Sequence, residues 1–154
     1  MGYMFILKKL AHVSFLSRKY GDSEKYFTIL AEMMPEVTKN PANIFVAKKN
    51  LLLFYTHTNI EKAKEYGEAM IKDVDEFYPV HKKDLFFMVG NAHFLKGEYA
   101  KAKDRYRQVL KMGPNQKLES QILNNMAFTS WMHVLDIPKI KRELLGPDKT
   151  TEED

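Results

Sequence analysis

The sequence predicts an all-α protein, an α-α superhelix of three helical hairpins followed by a C-terminal capping helix. Apolar residues recur every three to four positions along nearly the whole chain, which is the spacing of helices that bury one face. Turn-forming residues interrupt this pattern at short, regular intervals. Alternating apolar and polar runs, which would indicate strands, are nearly absent.

The breaks in the apolar pattern define the elements in order. Tyr20-Gly21 and Pro35 are expected to end the first two patterns, and Asn40-Pro41 predicts a cap followed by proline in a first helical turn. Because only a few residues join neighbouring helices, each pair forms an antiparallel hairpin. The further breaks at 58–59, 78–79, 96–97 and 113–115 then give helices at about 3–18, 21–38, 41–57, 60–77, 80–96, 98–112 and 116–134.

Composition narrows the class of protein. A chain of 154 residues is long enough for one domain with a core. The net charge of +4 comes from 24 basic and 20 acidic residues that are scattered together, which does not form the concentrated field of a dedicated nucleic-acid binder. The absence of cysteine excludes disulfides, zinc-thiolate sites and thiol catalysis.

An internal repeat is clearest in the third hairpin. Small residues at 90 and 102 are expected where two helix axes approach closely, with large residues filling the space around that contact. The pattern resembles the tetratricopeptide repeat, in which a large residue, a small residue and an aromatic on one helix precede a small residue, an aromatic and proline on the next. The residues that match are Phe86, Val89, Gly90, His93, Gly97, Tyr99, Ala102, Tyr106, Leu110 and Pro114.

The same frame matches two earlier stretches of the chain. The first gives Leu7, Leu10, Ala11, Tyr20, Ser23, Phe27, Leu30 and Pro35; the second gives Ala47, Leu51, Phe54, Ile60, Ala63 and Met70, with Gly67 where an aromatic is usual. After residue 115 only a first helix fits, because Pro138 lies inside the expected second helix. The prediction is one domain over 1–145, with repeats at about 4–37, 44–77 and 83–116, a partial repeat at 117–145 and a disordered acidic tail at 146–154.

The repeats are longer than usual. Phe27, Gly67 and Tyr106 are 40 and 39 residues apart, whereas the usual period is 34. Lengthened repeats are similar to those of kinesin light chains and of the mitochondrial tetratricopeptide repeat protein 19 family, which assists assembly of respiratory complex III. The run Leu123-Asn124-Asn125-Met126-Ala127 also faintly resembles the latter family.

The resemblance implies a concave groove lined by the first helix of each hairpin. Aromatics in the groove would supply buried area to a bound peptide or helix, or would pack the repeats together, and both interpretations stay open. Asn91 and Asn125 favour binding, because a recurring amide can fix a peptide backbone. The predicted groove residues form three rungs: Phe15, Tyr55, Phe94 and Phe128; His12, Leu52, Asn91 and Asn125; Lys8, Lys48, Phe87 and Gln121.

The resemblance does not extend to the family's carboxylate clamp, which holds the C-terminus of chaperones. Lys8 matches the first lysine of the clamp, but Asp84 and Met88 stand where later basic residues are needed. An acid and a thioether cannot hold a carboxylate, so binding of this kind is rejected.

The sequence predicts no enzyme and no cofactor. Five histidines show no His-Glu-x-x-His spacing, no Gly-x-Ser-x-Gly elbow occurs, and no glycine-rich phosphate loop is present. The basic residues between Glu98 and Lys111 are interpreted as a solvated helix face, so no nucleic acid is expected. No apolar run reaches the roughly 20 residues of a membrane span, and no secretory signal is seen, so an intracellular location, cytoplasmic or mitochondrial, is expected.

The sequence is consistent with two functions. The first is a non-catalytic scaffold or adaptor that binds a peptide or helix of a partner protein in its groove. The alternative is an architectural subunit or assembly factor of a larger complex, such as a mitochondrial respiratory complex, held by apolar surfaces left exposed at the ends of the array.

Overall fold

The computed structural model describes residues 2–134, and this part of the chain is all-helical, as predicted. Each of the seven helices begins and ends within two residues of its predicted bounds. The helices are α1 (Gly2–Leu16), α2 (Tyr20–Val37), α3 (Pro41–Thr58), α4 (Ile60–Phe77), α5 (Lys82–Lys96), α6 (Tyr99–Lys111) and α7 (Gln116–Val134), with a single 3-10 turn at Pro79–His81 before α5. The remainder of the partial fourth repeat and the predicted acidic tail lie outside the described residues.

Two compact units divide the chain at residue 113, and each is described by itself. In the first unit every helix packs against the next, from α1 to α6. Side chains also join alternate helices: the rings of Phe15 on α1 and Phe54 on α3 are 6.1 Å apart, and Arg105 on α6 forms an ion pair with Glu68 on α4. The first unit therefore consists of successive antiparallel hairpins in contact with each other.

Asparagine side chains begin α3 and α4. The Oδ1 atom of Asn40 accepts a hydrogen bond of 2.9 Å from the backbone N–H of Ala42, and Pro41 occupies the first turn. The Oδ1 atom of Asn59 accepts from the backbone N–H of Lys62 at 3.3 Å. The predicted cap at Asn40-Pro41 is confirmed, because each asparagine satisfies a backbone donor that has no partner within its helix.

The first and third hairpins turn in the same way. At the end of α5, Gly97 adopts a left-handed conformation and the N–H of Glu98 bonds to the carbonyl of His93. At the end of α1, Arg18 takes the equivalent left-handed position and the N–H of Lys19 bonds to the carbonyl of Ser14. The predicted break at Tyr20-Gly21 was therefore placed slightly late, since both residues already belong to the first turn of α2.

Pro35 does not end α2 at its own position. The helix continues to Val37, and the backbone N–H of Thr38 still bonds to the carbonyl of Met34. Proline removes only its own N–H donor and restricts the residue before it, so a helix can continue for a few residues after it before ending.

The small residues that the repeat predicts on the second helices are buried in all three hairpins. Ser23 on α2, Ala63 on α4 and Ala102 on α6 are each fully inaccessible to solvent. The Oγ atom of Ser23 donates a hydrogen bond of 2.9 Å to the carbonyl oxygen of Ala11, across the contact between α1 and α2. Equivalent small residues are thus buried in each hairpin, as is expected where two helices pack closely.

Two glycines are required by close packing. A Cβ atom on Gly90 would lie 2.7 and 2.9 Å from two atoms of the Tyr106 ring, as the prediction of close approach at this position requires. A Cβ atom on Gly67 would lie 2.7 Å from Cγ2 of Val89. The second contact explains why the middle repeat has no aromatic at Gly67, since α5 occupies that space.

The second unit is described over residues 114–134 by α7 and its cap. The Oδ1 atom of Asn115 accepts a hydrogen bond of 2.8 Å from the backbone N–H of Leu118, which caps the helix as in α3 and α4. Ile122 and Thr129 are buried, whereas Leu123 and Trp131 are exposed.

Candidate functional site

A groove runs between α1 and α3 on the first unit. Side chains three and four residues apart share one face of a helix, so Phe5, Lys8, His12 and Phe15 present one side of α1. The facing side of α3 is formed by Asn43, Val46, Asn50, Leu53 and His57. The groove contains two pockets, of about 250 Å³ near the start of α1 and about 110 Å³ near its end, which share Asn50 as a lining residue.

The floor of the groove is apolar. Phe27 and Phe54 lie at the base of the smaller pocket with their ring centres 5.7 Å apart, and both are buried. Met4, Leu30 and Met34 line the larger pocket. Methionine and aromatic side chains offer a large contact area, and methionine adapts its shape to what it contacts. The floor is therefore suited to receiving apolar side chains.

The two helices that form the groove contain no acidic residue. α1 includes Lys8, Lys9 and His12, and α3 includes Lys48, Lys49 and His57. Partial burial and the nearby charges of Lys8 and Lys9 lower the pKa of the His12 imidazole. Of these residues only Lys8, His12 and His57 line the groove. The groove is therefore apolar at its base, with one lysine, two histidines and the amides of Asn43 and Asn50 along its edges.

The structure places the predicted residues of α1 in this groove. Lys8 lines the larger pocket, while His12 and Phe15 line the smaller one. Phe15 also packs against Tyr20 and Phe54, with ring centres 5.7 and 6.1 Å apart. Phe15 therefore both packs the repeats together and contributes to the exposed wall of a pocket, so the two interpretations of this aromatic are compatible.

Contrary to the prediction, the predicted residues of α3 do not line this groove. Leu52 is fully buried and lies with Val89 over Gly67, so it belongs to the core. Lys48 and Tyr55 line a different pocket, of about 460 Å³, which α2, α3 and α4 form together. The Tyr55 hydroxyl is 3.1 Å from Oε1 of Glu24, to which it donates a hydrogen bond.

The predicted residues of α5 contact α6. The Tyr106 hydroxyl donates a hydrogen bond of 2.7 Å to Oδ1 of Asn91. The ring of Phe87 is 6.0 Å from that of Tyr106, and the ring of Phe94 is 5.8 Å from that of Tyr99. Asn91 thus joins α5 to α6 through the Tyr106 hydroxyl.

The remaining predicted residues lie on α7. Gln121, Asn125 and Phe128 are spaced by four and three residues and so share one face of that helix. Gln121 and Phe128 are exposed, and Asn125 is half-buried. Because α7 belongs to the second unit, the predicted rungs that join these residues to α1, α3 and α5 stay predictions.

A polar network that the sequence did not predict joins α4, α5 and α6. His93 is buried, as expected of its place in the repeat, but both of its ring nitrogens face carboxylates. Nε2 lies 3.0 Å from Oε1 of Glu68, and Nδ1 lies 3.1 Å from Oε1 of Glu98. Arg105 also pairs with Glu68, and Lys64 pairs with Glu98.

These contacts favour the ionised form of both carboxyls. Hydrogen bonds from Lys64 and His93 lower the pKa of Glu98 from 4.5 to about 2. Burial alone would raise the pKa of Glu68, but hydrogen bonds from His93 and Arg105 outweigh that effect and lower it. The network borders an open pocket of about 450 Å³ that also includes Lys101, Asp104 and Gln108.

The arrangement is suited to joining helices. Both nitrogens of His93 already have partners, and each carboxylate is shared with a cation from another helix. Among residues 2–134 no cluster of three or more His, Cys, Asp or Glu side chains is placed to hold a metal ion. The only sequence signal for this network was a histidine where the repeat usually has an aromatic.

The geometry defines a class of protein: successive helical hairpins with an apolar, acid-free groove between the first helices of two hairpins. No protein-family model matches the chain, and no curated protein matches it. Within the described part of the chain, none of the helices combines the length and apolarity that crossing a membrane would require.

Proposed function

We propose that the chain is a tetratricopeptide-like solenoid that acts as a non-catalytic scaffold, binding a segment of a partner protein in the groove between α1 and α3. The observation that carries the proposal is the pair of apolar pockets between two helices that contain no acidic residue. Apolar side chains entering the pockets would supply affinity, and Lys8 at the edge of the larger pocket would favour an acidic residue beside them.

The spacing of the pockets supports a helical partner segment. The larger pocket lies beside residues 4–8 of α1 and the smaller beside 12–15, a separation of about 11 Å along a helix that rises about 1.5 Å per residue. Apolar residues seven apart on a bound helix span about the same distance. A helix also satisfies its own backbone hydrogen bonds, which suits pockets lined mainly by apolar groups.

Ion pairing favours a protein partner over a nucleic acid. The basic residues of α6 would be the natural phosphate contacts, but several of them already have acidic partners. Lys101 pairs with Glu98, Arg105 with Glu68 and Arg107 with Asp104. Phosphate binding depends on basic residues that can neutralise the backbone, and these pairs would have to be broken first.

A peptide-display selection tests the proposal. The full chain is used to select from a library of 16-residue peptides, and the binding of enriched peptides is measured by fluorescence anisotropy. Leu53→Glu places a charge in the smaller pocket, and we expect it to weaken binding at least about tenfold. The matched control is Val80→Glu, the same kind of change at an exposed position in the 3-10 turn.

The composition of the selected peptides tests the partner chemistry separately. Enrichment of acidic residues beside apolar residues seven apart is the expected result. Binders that are equally sensitive to both substitutions, or to neither, would remove the groove as the binding site. Groove binders without acidic residues would retain the site but overturn the proposed charge selection.

The alternative function has its own supporting observation. Large apolar side chains are exposed on α1, including Ile6, Leu10 and Val13, and Trp131 is exposed on α7. Exposed apolar patches of this kind are typical of proteins held in larger assemblies. An architectural subunit or assembly factor would be recovered from native cells in a complex of constant composition, and recovery would be lost when Leu10→Glu is introduced and kept when Leu53→Glu is introduced.

A further inference from the structure

Asn50 lies midway along the groove, where its two apolar pockets meet. Its side chain lines both pockets, and on α3 it stands between Val46, which lines the larger pocket, and Leu53, which lines the smaller one. Side chains three and four residues apart share one face of a helix, so the order along this wall is apolar, amide, apolar. A single polar side chain therefore separates the two apolar surfaces of the α3 wall.

The packing of the chain does not explain an amide at this position. Among residues 2–134 the half-buried side chain of Asn50 forms no hydrogen bond, and since no buried polar side-chain atom there lacks a partner, its oxygen and nitrogen are accessible to solvent. By contrast, the side chains of Asn40, Asn59 and Asn115 cap helices. The amide of Asn50 thus remains available to a bound molecule.

A partner helix in the groove would remove this amide from water. This step rests on the proposed function, in which apolar residues seven apart enter the two pockets, so that the helix between them passes over Asn50. A covered donor or acceptor without a hydrogen-bond partner weakens binding by roughly fivefold to a hundredfold. The bound helix must therefore supply a partner for Asn50 or bind weakly.

The chemistry of Asn50 restricts that partner. Its amide has an NH2 donor and a carbonyl acceptor. A carboxylate can pair only with the donor, an ammonium group only with the acceptor, and an apolar side chain with neither. Another amide has both groups and can form two hydrogen bonds at once. Buried asparagine also fixes the register of helices in coiled coils.

We propose that Asn50 selects a partner helix with asparagine or glutamine three or four positions after the first of its two apolar residues. A side chain at this spacing lies on the same face as the apolar residues and about midway between them, which is the level of Asn50 in the groove. A slip of the helix by one turn would place an apolar side chain on Asn50 and the amide in an apolar pocket. The pockets thus supply affinity, and Asn50 sets sequence preference and register.

Pairs of peptides test the selection. Starting from a selected peptide that Leu53→Glu weakens, two versions are made with glutamine or methionine at the central position, since these residues are similar in size and helix propensity. Fluorescence anisotropy should show that the wild type prefers the glutamine version about tenfold. Asn50→Leu should abolish or reverse this preference. The matched control, Asn43→Leu, makes the same change at an exposed position seven residues earlier on the same wall and should retain the preference.

A second variant tests whether hydrogen bonding causes the preference. Asn50→Asp keeps the shape of the side chain but has no donor, and it should shift the preference towards a version with central lysine.

The outcomes separate this inference from the proposed function. Equal binding of the glutamine and methionine versions by the wild type would overturn the inference and leave the groove as the binding site. An equal loss of both versions in Asn50→Leu would also overturn it, because the amide would then contact the peptide backbone. If no selected peptide is sensitive to Leu53→Glu, the groove itself is not the binding site, and the proposed function fails together with this inference.

Discussion

Gly90 shows how a single residue sets the distance between two helices. The sequence predicted a close approach of α5 and α6 here, because the repeat alternates small and large residues at this contact. The structure confirms it and adds the partner, the ring of Tyr106. The ring cannot move aside easily, since Tyr106 is fully buried and its hydroxyl is bonded to Asn91.

Gly90→Ala is accordingly expected to destabilise the protein. The added Cβ would lie 2.7 Å from a ring atom, so the helices must separate or the tyrosine must leave its position. Overpacking of this kind costs about 1–3 kcal/mol. Urea unfolding followed by circular dichroism measures the change, and Gly21→Ala, where nothing lies within 4 Å of the new Cβ, is the control.

At Arg18, in contrast to Gly90, a substitution is expected to stabilise the protein. It adopts a φ of 61° at the position where the equivalent turn has Gly97. A non-glycine residue in the left-handed region lowers stability by roughly 1–2 kcal/mol. Glycine would remove this strain, but part of the gain would be lost because glycine makes the unfolded chain more flexible. Arg18→Gly should therefore raise the free energy of unfolding by up to about 1 kcal/mol, measured by urea denaturation. A lower stability of the variant would contradict this account of the turn.

At the scale of elements, the sequence predicted which segments are helical more reliably than which way each helix faces. The positions of proline, glycine and asparagine predicted the bounds of the described helices to within two residues. The orientation of α3 was wrong at Lys48, Leu52 and Tyr55. Between Ile44 and Phe54, α3 has apolar residues on most of its sides. Periodicity therefore could not indicate which side packs against which neighbouring helix.

The network around His93 was missed for a related reason. Glu68 lies on α4, His93 lies on α5, and Glu98 directly precedes α6. Whether these side chains contact each other depends on how the hairpins pack. Local spacing does not contain that information. A polar residue at an expected core position indicates only that partners must exist, because a buried polar group without hydrogen bonds is costly.

The network predicts a specific loss of stability in acid. The pKa of Glu98 is about 2 in the folded protein against 4.5 for the ordinary group, so its contribution is fully present above pH 4.5 and is lost as the pH falls towards 2. Glu98→Gln should be less stable than the wild type at pH 7 and should lose less stability between pH 4.5 and 2. Urea titrations at several pH values measure both effects, with Glu36→Gln, exposed on α2, as the control. Parallel pH profiles would contradict the role of Glu98.

At the scale of the whole sequence, charge is unevenly divided between the helices. α1 and α3 contain only basic charged residues, whereas α2 and α4 include Glu24, Glu32, Glu61 and Glu68 among their acids. This division could be read once the helix bounds were known. The pockets of the groove could not be predicted from the sequence, since they depend on the distance between α1 and α3.

Binding in the groove should consequently depend on salt. Raising the salt concentration from 50 to 500 mM reduces the screening length from roughly 14 to 4 Å, and we expect the affinity of an acidic, apolar peptide to fall about tenfold. Anisotropy titrations over this range measure the change. A peptide of the same apolar sequence with glutamines in place of its acids provides the comparison, and an equal salt dependence of both peptides would exclude Lys8 as a source of selectivity.

The two junctions between hairpins are chemically different. The first is built mainly on the packed rings of Phe15, Phe27 and Phe54, whereas the second is held in part by ionised side chains around His93. As the pH falls from 4.5 towards 2, the second junction would lose the contribution of Glu98, whereas the packed rings of the first carry no titratable group and only its half-exposed Glu24–Lys62 pair would weaken. The third hairpin would then separate from the second before the other helices unfold. Amide hydrogen exchange would detect early opening of α5 and α6 while α1 to α3 are still protected.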